Sequence, residues 1–484
     1  MKKFDTFVFE SFQFDKEKLR AKFYYSFDNW REIFEEIIDF KCEWFDIDEN
    51  ILGSNDDSIL NNFLFQLHLA LGISYYKLFP TKTLEIKSWY LDDDQIEFWE
   101  KFYINGLGEF FITNNIDPNG LVKFVNAGSA VSIEELTIRN NYIESSKNFI
   151  EWKSLLLWWG GKDSIVSYSI LKNKKKLDLF VFGKIDSIKE KTSEITGEKV
   201  LLVKRTLSKN IFTLNKQWYY NGHVPITGII AFVTFVVGYR YWYSNIILSN
   251  EASASESNTD WKWISVNHQY SKSLEFEQDL LHYSQNYISK WIKYFSLLRG
   301  MYEYKIASIF AQQKEFFQEF SSCNWNFKIT NLPPARGGYP KGERGKKLWC
   351  CECEKCAFVY LILSPFLEEK ELINIFWENL FEKESLVKTF RELIWLEKYK
   401  PFECVWTYEE CLLSAKKVIQ NYLPPVRGKS LKGDGGNKKL PFILQNIRDE
   451  VLEKCDDSTE KKLENKLLKI SEEDIIPKEF KKIL

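Results

Sequence analysis

A short polar segment interrupts an apolar run near the middle of this 484-residue chain, where residues 155–170 read LLLWWGGKDSIVSYSI. The leucine run predicts a buried strand, and the residues after the serine predict a helix. A strand-to-helix turn with two glycines presents backbone N–H groups at a helix N-terminus, where they attract anions. We therefore predict that phosphates bind Gly160, Gly161, Lys162, Asp163 and Ser164, with Asp163 holding Mg²⁺.

The same segment is similar to a known nucleotide motif. It lacks the Walker A spacing but resembles the S-G-G-x-D-S loop of the PP-loop ATP pyrophosphatases, with Trp159 in place of the first serine. That resemblance implies binding of ATP and its cleavage to AMP and diphosphate, and it places Trp159 among the nucleotide-binding residues. An ordinary glycine turn with a capping aspartate is the alternative interpretation.

Two further polar segments follow, SNEASASESN at 249–258 and VNHQYSKSLEFE at 266–277. The first comes directly after a predicted buried strand, so we expect Asn250, Glu251 and Ser253 to face the same ligand. The second contains His268 and Lys272, which with Glu251 are the candidate catalytic residues. The partner of His268 is Lys272, Glu251 or a cysteine. A solvated loop followed by a helix cap is the alternative for either segment.

His268 is the candidate for proton transfer, because the unperturbed pKa of histidine, about 6.5, suits that task. Only four histidines occur in the chain. His68 lies in an apolar helical pattern and is expected to be a packed core or a surface residue, whereas His223 and His282 lack comparable polar neighbours in the sequence.

Three cysteines occur at metal-ligand spacing, Cys350-x-x-Cys353-x-x-Cys356. This spacing predicts a structural zinc site, whose fourth ligand is Cys323, Cys351 or none. Free structural thiols, and catalytic or iron–sulfur cysteines, are the alternatives. A similar cluster binds zinc in the 7-cyano-7-deazaguanine synthases, which are related PP-loop enzymes.

These residues require a framework that positions them. Strand-like and helical runs alternate from residue 152 to about 250, which predicts an α/β fold with a mostly parallel sheet and helices on both faces. We expect an N-terminal α+β domain at 1–150, a PP-loop domain with a cysteine-rich insertion at 151–430 and a helical tail at 431–484. Two loops rich in glycine, proline and basic residues are predicted at 333–347 and 424–439.

Composition excludes several classes of protein. The net charge of −2 argues against a dedicated nucleic-acid binder. The apolar run at 226–238 is shorter than a membrane span and is predicted to be a buried helix, so no membrane partner is expected. Nine cysteines without a secretory signal at the N-terminus indicate a reducing, cytoplasmic location.

In their order along the chain, WGGKDS, SNEASAS, NHQYSKS, the cysteine motif and FECVWTYEE resemble the UDP-N-acetylmuramoyl-L-alanyl-L-glutamate epimerases of bacterial peptidoglycan synthesis. The resemblance spans about residues 150–425, and Trp406 departs from it, because a small residue is expected there. It implies that ATP and Mg²⁺ serve to invert the terminal L-Glu of UDP-MurNAc-L-Ala-L-Glu through an adenylated carboxylate. The alternatives are a PP-loop enzyme that modifies a nucleobase or tRNA, similar to 7-cyano-7-deazaguanine synthase, and a non-enzymatic nucleotide-binding protein. The sequence indicates no protein partner.

Overall fold

The strands and helices below come from a computed structural model that describes residues 3–41, 57–127, 153–256, 259–262, 264–323, 348–397, 407–422 and 439–484. The strands in these ranges are β1 (Thr6–Asp15), β2 (Arg20–Phe27), β3 (Glu32–Asp39), β4 (Thr83–Ile86), β5 (Lys123–Asn126), β6 (Lys153–Leu157), β7 (Lys176–Phe182), β8 (Val200–Thr206), β9 (Asn245–Leu248), β10 (Thr259–Trp261), β11 (Ile264–Val266) and β12 (Lys293–Ser296).

The helices in the same ranges are α1 (Asp57–Tyr76), α2 (Asp93–Gly106), α3 (Gly108–Thr113), α4 (Lys162–Leu171), α5 (Ser187–Thr196), α6 (Lys209–Lys216), α7 (Ile226–Tyr241), α8 (Leu274–Tyr287), α9 (Glu303–Phe310), α10 (Glu354–Leu363), α11 (Glu369–Phe376), α12 (Val387–Leu393), α13 (Tyr408–Tyr422), α14 (Phe442–Lys454), α15 (Asp457–Leu468) and α16 (Lys478–Lys481). Short 3₁₀ turns at Ala252–Ser255 and Tyr270–Lys272 lie in the two polar segments noted above.

Ten of these strands form one sheet in the order β12-β9-β6-β7-β8-β3-β2-β1-β4-β5. The first five of them are parallel to one another. From β6 the chain moves outward through β7 and β8, and it then crosses to β9 on the other side of β6. In an open parallel sheet, the point where the strand order reverses opens a crevice beyond the carboxyl ends of the strands. That crevice lies beyond β6 and β9.

Helices cover both faces of the parallel strands, as the sequence predicts. Leu155 and Leu157 of β6 belong to one apolar cluster, which also contains residues of α1 and α7. Leu156 belongs to a second cluster with residues of α4, α9 and α10. Successive residues of a strand point to opposite faces, so these two clusters are the two sides of the sheet. The α/β prediction with a mostly parallel sheet is confirmed.

The apolar run that resembles a short membrane span is a buried helix. α7 packs against α1, and its residues from Thr227 to Gly238 are buried. Within the described ranges, no helix combines the length and apolar character needed to cross a membrane.

The N-terminal strands extend the parallel sheet rather than forming a sheet of their own. β3 pairs with β8 in antiparallel fashion, with Asp39 opposite Lys204. The predicted boundary near residue 150 lies outside the described residues, and the division into three domains stays a prediction. The loop predicted at 333–347 and most of that at 424–439, together with Trp406, also lie outside them.

Candidate active site at the sheet switch point

The glycine turn after β6 has the backbone geometry that its sequence predicts. Gly160 has a φ of +70°, and an added Cβ would lie 2.7 Å from Thr192 Oγ1. Gly161 is the N-cap residue of α4, and no side chain caps that helix end. Glycine is needed at 160 because side chains rarely adopt this conformation and because the space is filled. The N-terminus of α4 thus faces the crevice without a capping side chain.

The side chains of the loop have different environments. Trp159 is 40% exposed, and Lys189 Nζ lies 5.7 Å from the centroid of its ring. The Ser164 hydroxyl donates to the carbonyl oxygen of Gly161 at 3.0 Å. Lys162 is buried, and its Nζ contacts Asp163 Oδ1 and Glu303 Oε2. In this structure the Lys162 ammonium is therefore paired with two carboxylates.

Glu303, the first residue of α9, belongs to this site although its sequence context did not identify it. Burial raises the pKa of Glu303, and the Asp163 and Glu251 carboxylates raise it further, while the Lys162 ammonium opposes them. Burial alone would lower the pKa of Lys162, but Asp163 and Glu303 raise it above its usual value. The buried lysine therefore stays charged among acidic groups.

The polar loop after β9 lies in the same crevice. Burial raises the pKa of Glu251, and Asp163 raises it further, while the Lys272 and Lys162 ammonium groups oppose them. The predicted meeting of the two loops is therefore observed in the structure. Ser253 is buried, and within the part of the chain that the structure describes its Oγ has no hydrogen-bond partner. A ligand hydroxyl or phosphate oxygen could satisfy that hydroxyl.

A buried ion pair holds the backbone of both polar segments. Arg299 Nη1 donates to the carbonyl oxygen of Glu251 at 2.8 Å, and Nη2 donates to that of Lys272. Glu277 Oε1 accepts from Arg299 Nη2 at 2.6 Å and from Asn250 Nδ2 at 3.4 Å. Asn250 is thus a buried partner of Glu277 in this structure, and its predicted contact with nucleotide stays a prediction.

Lys272 is within electrostatic reach both of the carboxylates in the crevice and of the imidazole of His223. Burial lowers the pKa of Lys272, and the Glu251 carboxylate opposes that effect. Lys355, at the start of α10, is within electrostatic reach of Glu251, Lys272 and Glu303. The Lys272 ammonium also lowers the pKa of His223.

His268 has a second imidazole beside it. The ring centroids of His268 and His223 are 6.4 Å apart, with their planes at 67°. The fold gives His223 polar neighbours that its sequence context lacks, because its Nδ1 also lies 3.4 Å from Glu109 Oε2. These neighbours come from distant parts of the sequence. His68 is packed in the core, and His282 is exposed on α8.

Four thiols converge next to the crevice. The Sγ atoms of Cys323, Cys350, Cys353 and Cys356 all lie within 4.8 Å of one another. Tetrahedral zinc with Zn–S bonds of about 2.3 Å places its sulfurs roughly 3.8 Å apart, and Cys350 Sγ and Cys356 Sγ are 3.7 Å apart. Cys351 Sγ points elsewhere, 3.0 Å from the carbonyl oxygen of Phe376. Cys323 is therefore the fourth member of the cluster.

The thiol cluster adjoins the turn at Gly160 and Gly161. Ser322 precedes Cys323 in the chain, and its Oγ lies 3.2 Å from the position of a Cβ added to Gly161. Lys355 lies between Cys353 and Cys356. An ion bound by these thiols would therefore fix two segments that border the crevice.

Comparisons with known proteins agree over most of the chain. A family model described as the MurL N-terminal domain matches residues 1–297, and one described as the MurL C-terminal domain matches residues 319–422. No solved structure matches the chain.

Curated relatives with the name UDP-N-acetyl-alpha-D-muramoyl-L-alanyl-L-glutamate epimerase are similar to it. The Xanthomonas oryzae pv. oryzae protein is 31% identical over 401 residues, which cover 83% of this chain and 82% of the relative. A Micromonospora protein is 31% identical over 358 residues, covering 73% and 74% of the two chains. The Salinispora tropica protein is 28% identical over 419 residues, covering 86% and 85%. With both domain models matched in order, this chain belongs to the MurL family.

Proposed function

We propose that this chain is an ATP-dependent epimerase that inverts the terminal L-glutamate of UDP-MurNAc-L-Ala-L-Glu to D-glutamate and releases AMP and diphosphate. Relatives that cover most of its length have the matching epimerase name. The observation that carries the proposal is the convergence of the segments that contain Gly160–Gly161, Glu251 and Lys272. Arg299 binds the carbonyl oxygens of Glu251 and Lys272, and Ser167 Oγ of α4 lies 2.8 Å from Ser249 Oγ after β9. Two imidazoles lie close to each other near this crevice, and Lys272 is within electrostatic reach of one of them.

The residues of the crevice fit a nucleotide with Mg²⁺. The uncapped start of α4 offers backbone N–H groups to phosphate. The buried Ser253 hydroxyl has no partner within the described ranges, and the exposed ring of Trp159 offers an apolar face. The Asp163 side chain is 35% exposed and supplies the hard oxygen ligand that Mg²⁺ prefers. ATP supplies the adenylyl group and the driving force.

The chemistry explains why an epimerase would need a phosphate loop. A free carboxylate makes the neighbouring Cα–H a very weak acid, because the carbanion would form beside a negative charge. When a carboxylate oxygen attacks the α-phosphorus, diphosphate leaves and the acyl group loses its charge, so the carbanion delocalises as an enolate. After protonation from the opposite face, water cleaves the acyl–oxygen bond and AMP leaves.

Each candidate residue has a place in this scheme. His268 is proposed as one proton-transfer group. Lys272 and Glu251, which with a cysteine are the candidate partners of His268, are within electrostatic reach of each other, and the Lys272 ammonium is proposed to stabilise developing negative charge. Lys162, paired with Glu303, holds the start of α4 in place.

We also infer that the four-thiol cluster binds Zn²⁺ in a structural role. All four positions of a tetrahedral site are protein thiols, which is typical of closed structural sites. Backbone N–H groups of Cys350 and Glu352 already donate to cluster sulfurs, at 3.4 and 3.5 Å. Such bonds stabilise the thiolate form that zinc requires.

The test is to incubate the chain with ATP, Mg²⁺ and UDP-MurNAc-L-Ala-L-Glu in D₂O. We expect AMP and diphosphate to form only when all three are present, and the product to carry D-glutamate with deuterium at Cα. Reactions without ATP, or with free L-glutamate in place of the precursor, are the controls. Inversion without ATP, or diphosphate release without the precursor, would contradict the proposal.

A further inference from the structure

His223 follows a turn that side chains from two other parts of the chain hold in place. Lys77 Nζ donates to Asn221 Oδ1 at 2.9 Å and to the carbonyl oxygen of Gly222 at 2.8 Å. Asn114 Nδ2 also donates to the Asn221 carbonyl oxygen, at 3.1 Å. These bonds fix the turn directly before His223, and therefore the backbone position from which its imidazole extends.

Glu109 orients the His223 ring. Its Oε2 lies 3.4 Å from His223 Nδ1, and both side chains are 28% exposed. α3 comes close because Gly108 has no side chain: an added Cβ would lie 2.9 Å from Val266 Cγ1. A carboxylate beside Nδ1 favours the tautomer with its proton there, which leaves Nε2 with a free lone pair. His223 is therefore set up to accept a proton at Nε2.

The charges around His223 favour its neutral form. Burial, together with the smaller effects of the Lys272 and Lys77 ammonium groups, lowers the pKa of His223 to about 4. The Glu109 carboxylate acts in the opposite direction, and the imidazole of His268 is a further titratable neighbour. The imidazole is consequently neutral at neutral pH, while enough of its surface is exposed to meet a substrate.

We propose that His223, oriented by Glu109, is the second proton-transfer group of the reaction and acts opposite His268. This rests on the proposed epimerase function. Inversion takes the Cα proton from one face and returns a proton to the other, so two groups on opposite sides are needed. One neutral imidazole accepts the Cα proton as the enolate forms, and the other, protonated, donates its proton to the enolate. Glu109 is a positioning residue, which acts through the ring.

The experiment compares His223→Asn, His268→Asn and the wild-type chain in D₂O with ATP and Mg²⁺, starting from the L- and the D-glutamate form of the precursor. Both variants should lower inversion by about 100-fold or more. Each variant should still exchange the Cα proton of one isomer for deuterium. The isomer that His223→Asn exchanges should be the opposite of the one that His268→Asn exchanges. Release of diphosphate, which precedes proton transfer, should persist in both.

Two further variants separate catalysis from structure. His282→Asn, on the exposed face of α8, should leave every rate unchanged. Glu109→Gln should lower the inversion rate and alter its pH profile, and Glu109→Asp should restore part of it. An inversion rate of His223→Asn within threefold of wild type would overturn the inference. Proton exchange of the same isomer by both histidine variants would also overturn it. Absence of inversion by the wild-type chain would instead contradict the proposed function, and this inference with it.

Discussion

Arg299 Nη1 donates a hydrogen bond of 2.8 Å to the carbonyl oxygen of Glu251. The same guanidinium binds the carbonyl oxygen of Lys272, and Glu277 balances its charge. One buried side chain thus fixes two segments that contain candidate catalytic residues. The geometry of the crevice depends on this ion pair although neither member is a candidate for the chemistry.

We expect Arg299→Met to destabilise the fold, because it leaves Glu277 buried without its cation. Removing one partner of a buried pair costs about 3–5 kcal/mol of unfolding free energy. Urea unfolding measures this, and the double variant Arg299→Met/Glu277→Leu should recover part of the loss. Arg448→Met, at an exposed ion pair, should change stability by less than about 0.5 kcal/mol. Equal losses of unfolding free energy in Arg299→Met and Arg448→Met would contradict the conclusion that Arg299 belongs to a buried ion pair.

The phosphate turn can be tested with two glycines of the same φ. Gly160 and Gly197 both have a φ of +70°, but a Cβ at Gly197 meets nothing within 4 Å. Gly197→Ala should therefore cost only the backbone penalty of about 1–2 kcal/mol and leave the KM for ATP unchanged. Gly160→Ala should also displace the turn, because its Cβ collides with Thr192, and should raise that KM about tenfold or more. Steady-state kinetics decide this, and an unchanged KM in Gly160→Ala would remove the turn from the nucleotide site.

Adjacent cysteines test the zinc site. Cys350→Ser should lose zinc, as measured by elemental analysis of the purified protein, because its sulfur belongs to the thiol cluster. Cys351→Ser should keep stoichiometric zinc, because that sulfur faces the carbonyl oxygen of Phe376. Loss of zinc should also lower the melting temperature. A wild-type chain without zinc, or equal metal loss in both variants, would exclude the site.

His68 predicts how stability depends on pH. Its ring contacts Ser88 Oγ at 3.2 Å and the Tyr24 carbonyl oxygen at 3.1 Å, and burial lowers its pKa from 6.5 to about 3. Above pH 6.5 neither state holds the proton. Below it the unfolded chain gains a proton that the folded chain excludes, so stability is lost as the pH falls towards 3. The loss amounts to about 2 kcal/mol between pH 7 and pH 5.

Urea unfolding of wild type and His68→Gln at both pH values isolates this contribution. The stability advantage of wild type over the variant should shrink by about 2 kcal/mol from pH 7 to pH 5. His282→Gln, at an exposed position, should show no such change. A constant difference between wild type and His68→Gln would mean that the buried ring accepts a proton in the folded state.

The sequence predicts local features of this fold well. Buried strands and the helices between them are visible as apolar runs and helical patterns, and the turn at Gly160 and Gly161 is contained within one short segment. The strand β12, Lys293–Ser296, was not predicted, because four residues are too few to distinguish a strand from a helical run. Arg299 and Glu303 follow β12, so their place at the carboxyl edge of the sheet was also missed.

Contacts between residues that are far apart in the sequence are the second feature that could not be predicted from it. Glu109 and His268 reach His223 only through the fold, because neither lies near it in the sequence. Cys323 stayed one of several possible ligands because no regular spacing links it to Cys350. Arg299 and Glu303 are charged residues that follow a short apolar run, which is a local signal in the sequence. Nothing local marks His223.

The most direct test of the central claim is to follow oxygen from the substrate to AMP. The precursor is prepared with ¹⁸O in both α-carboxylate oxygens of its terminal glutamate, and the AMP formed during inversion is analysed by mass spectrometry. Adenylation followed by attack of water on the acyl carbon transfers one labelled oxygen to each AMP, which is the predicted result. Inversion of the glutamate in the precursor together with unlabelled AMP, or without any AMP, would contradict the account.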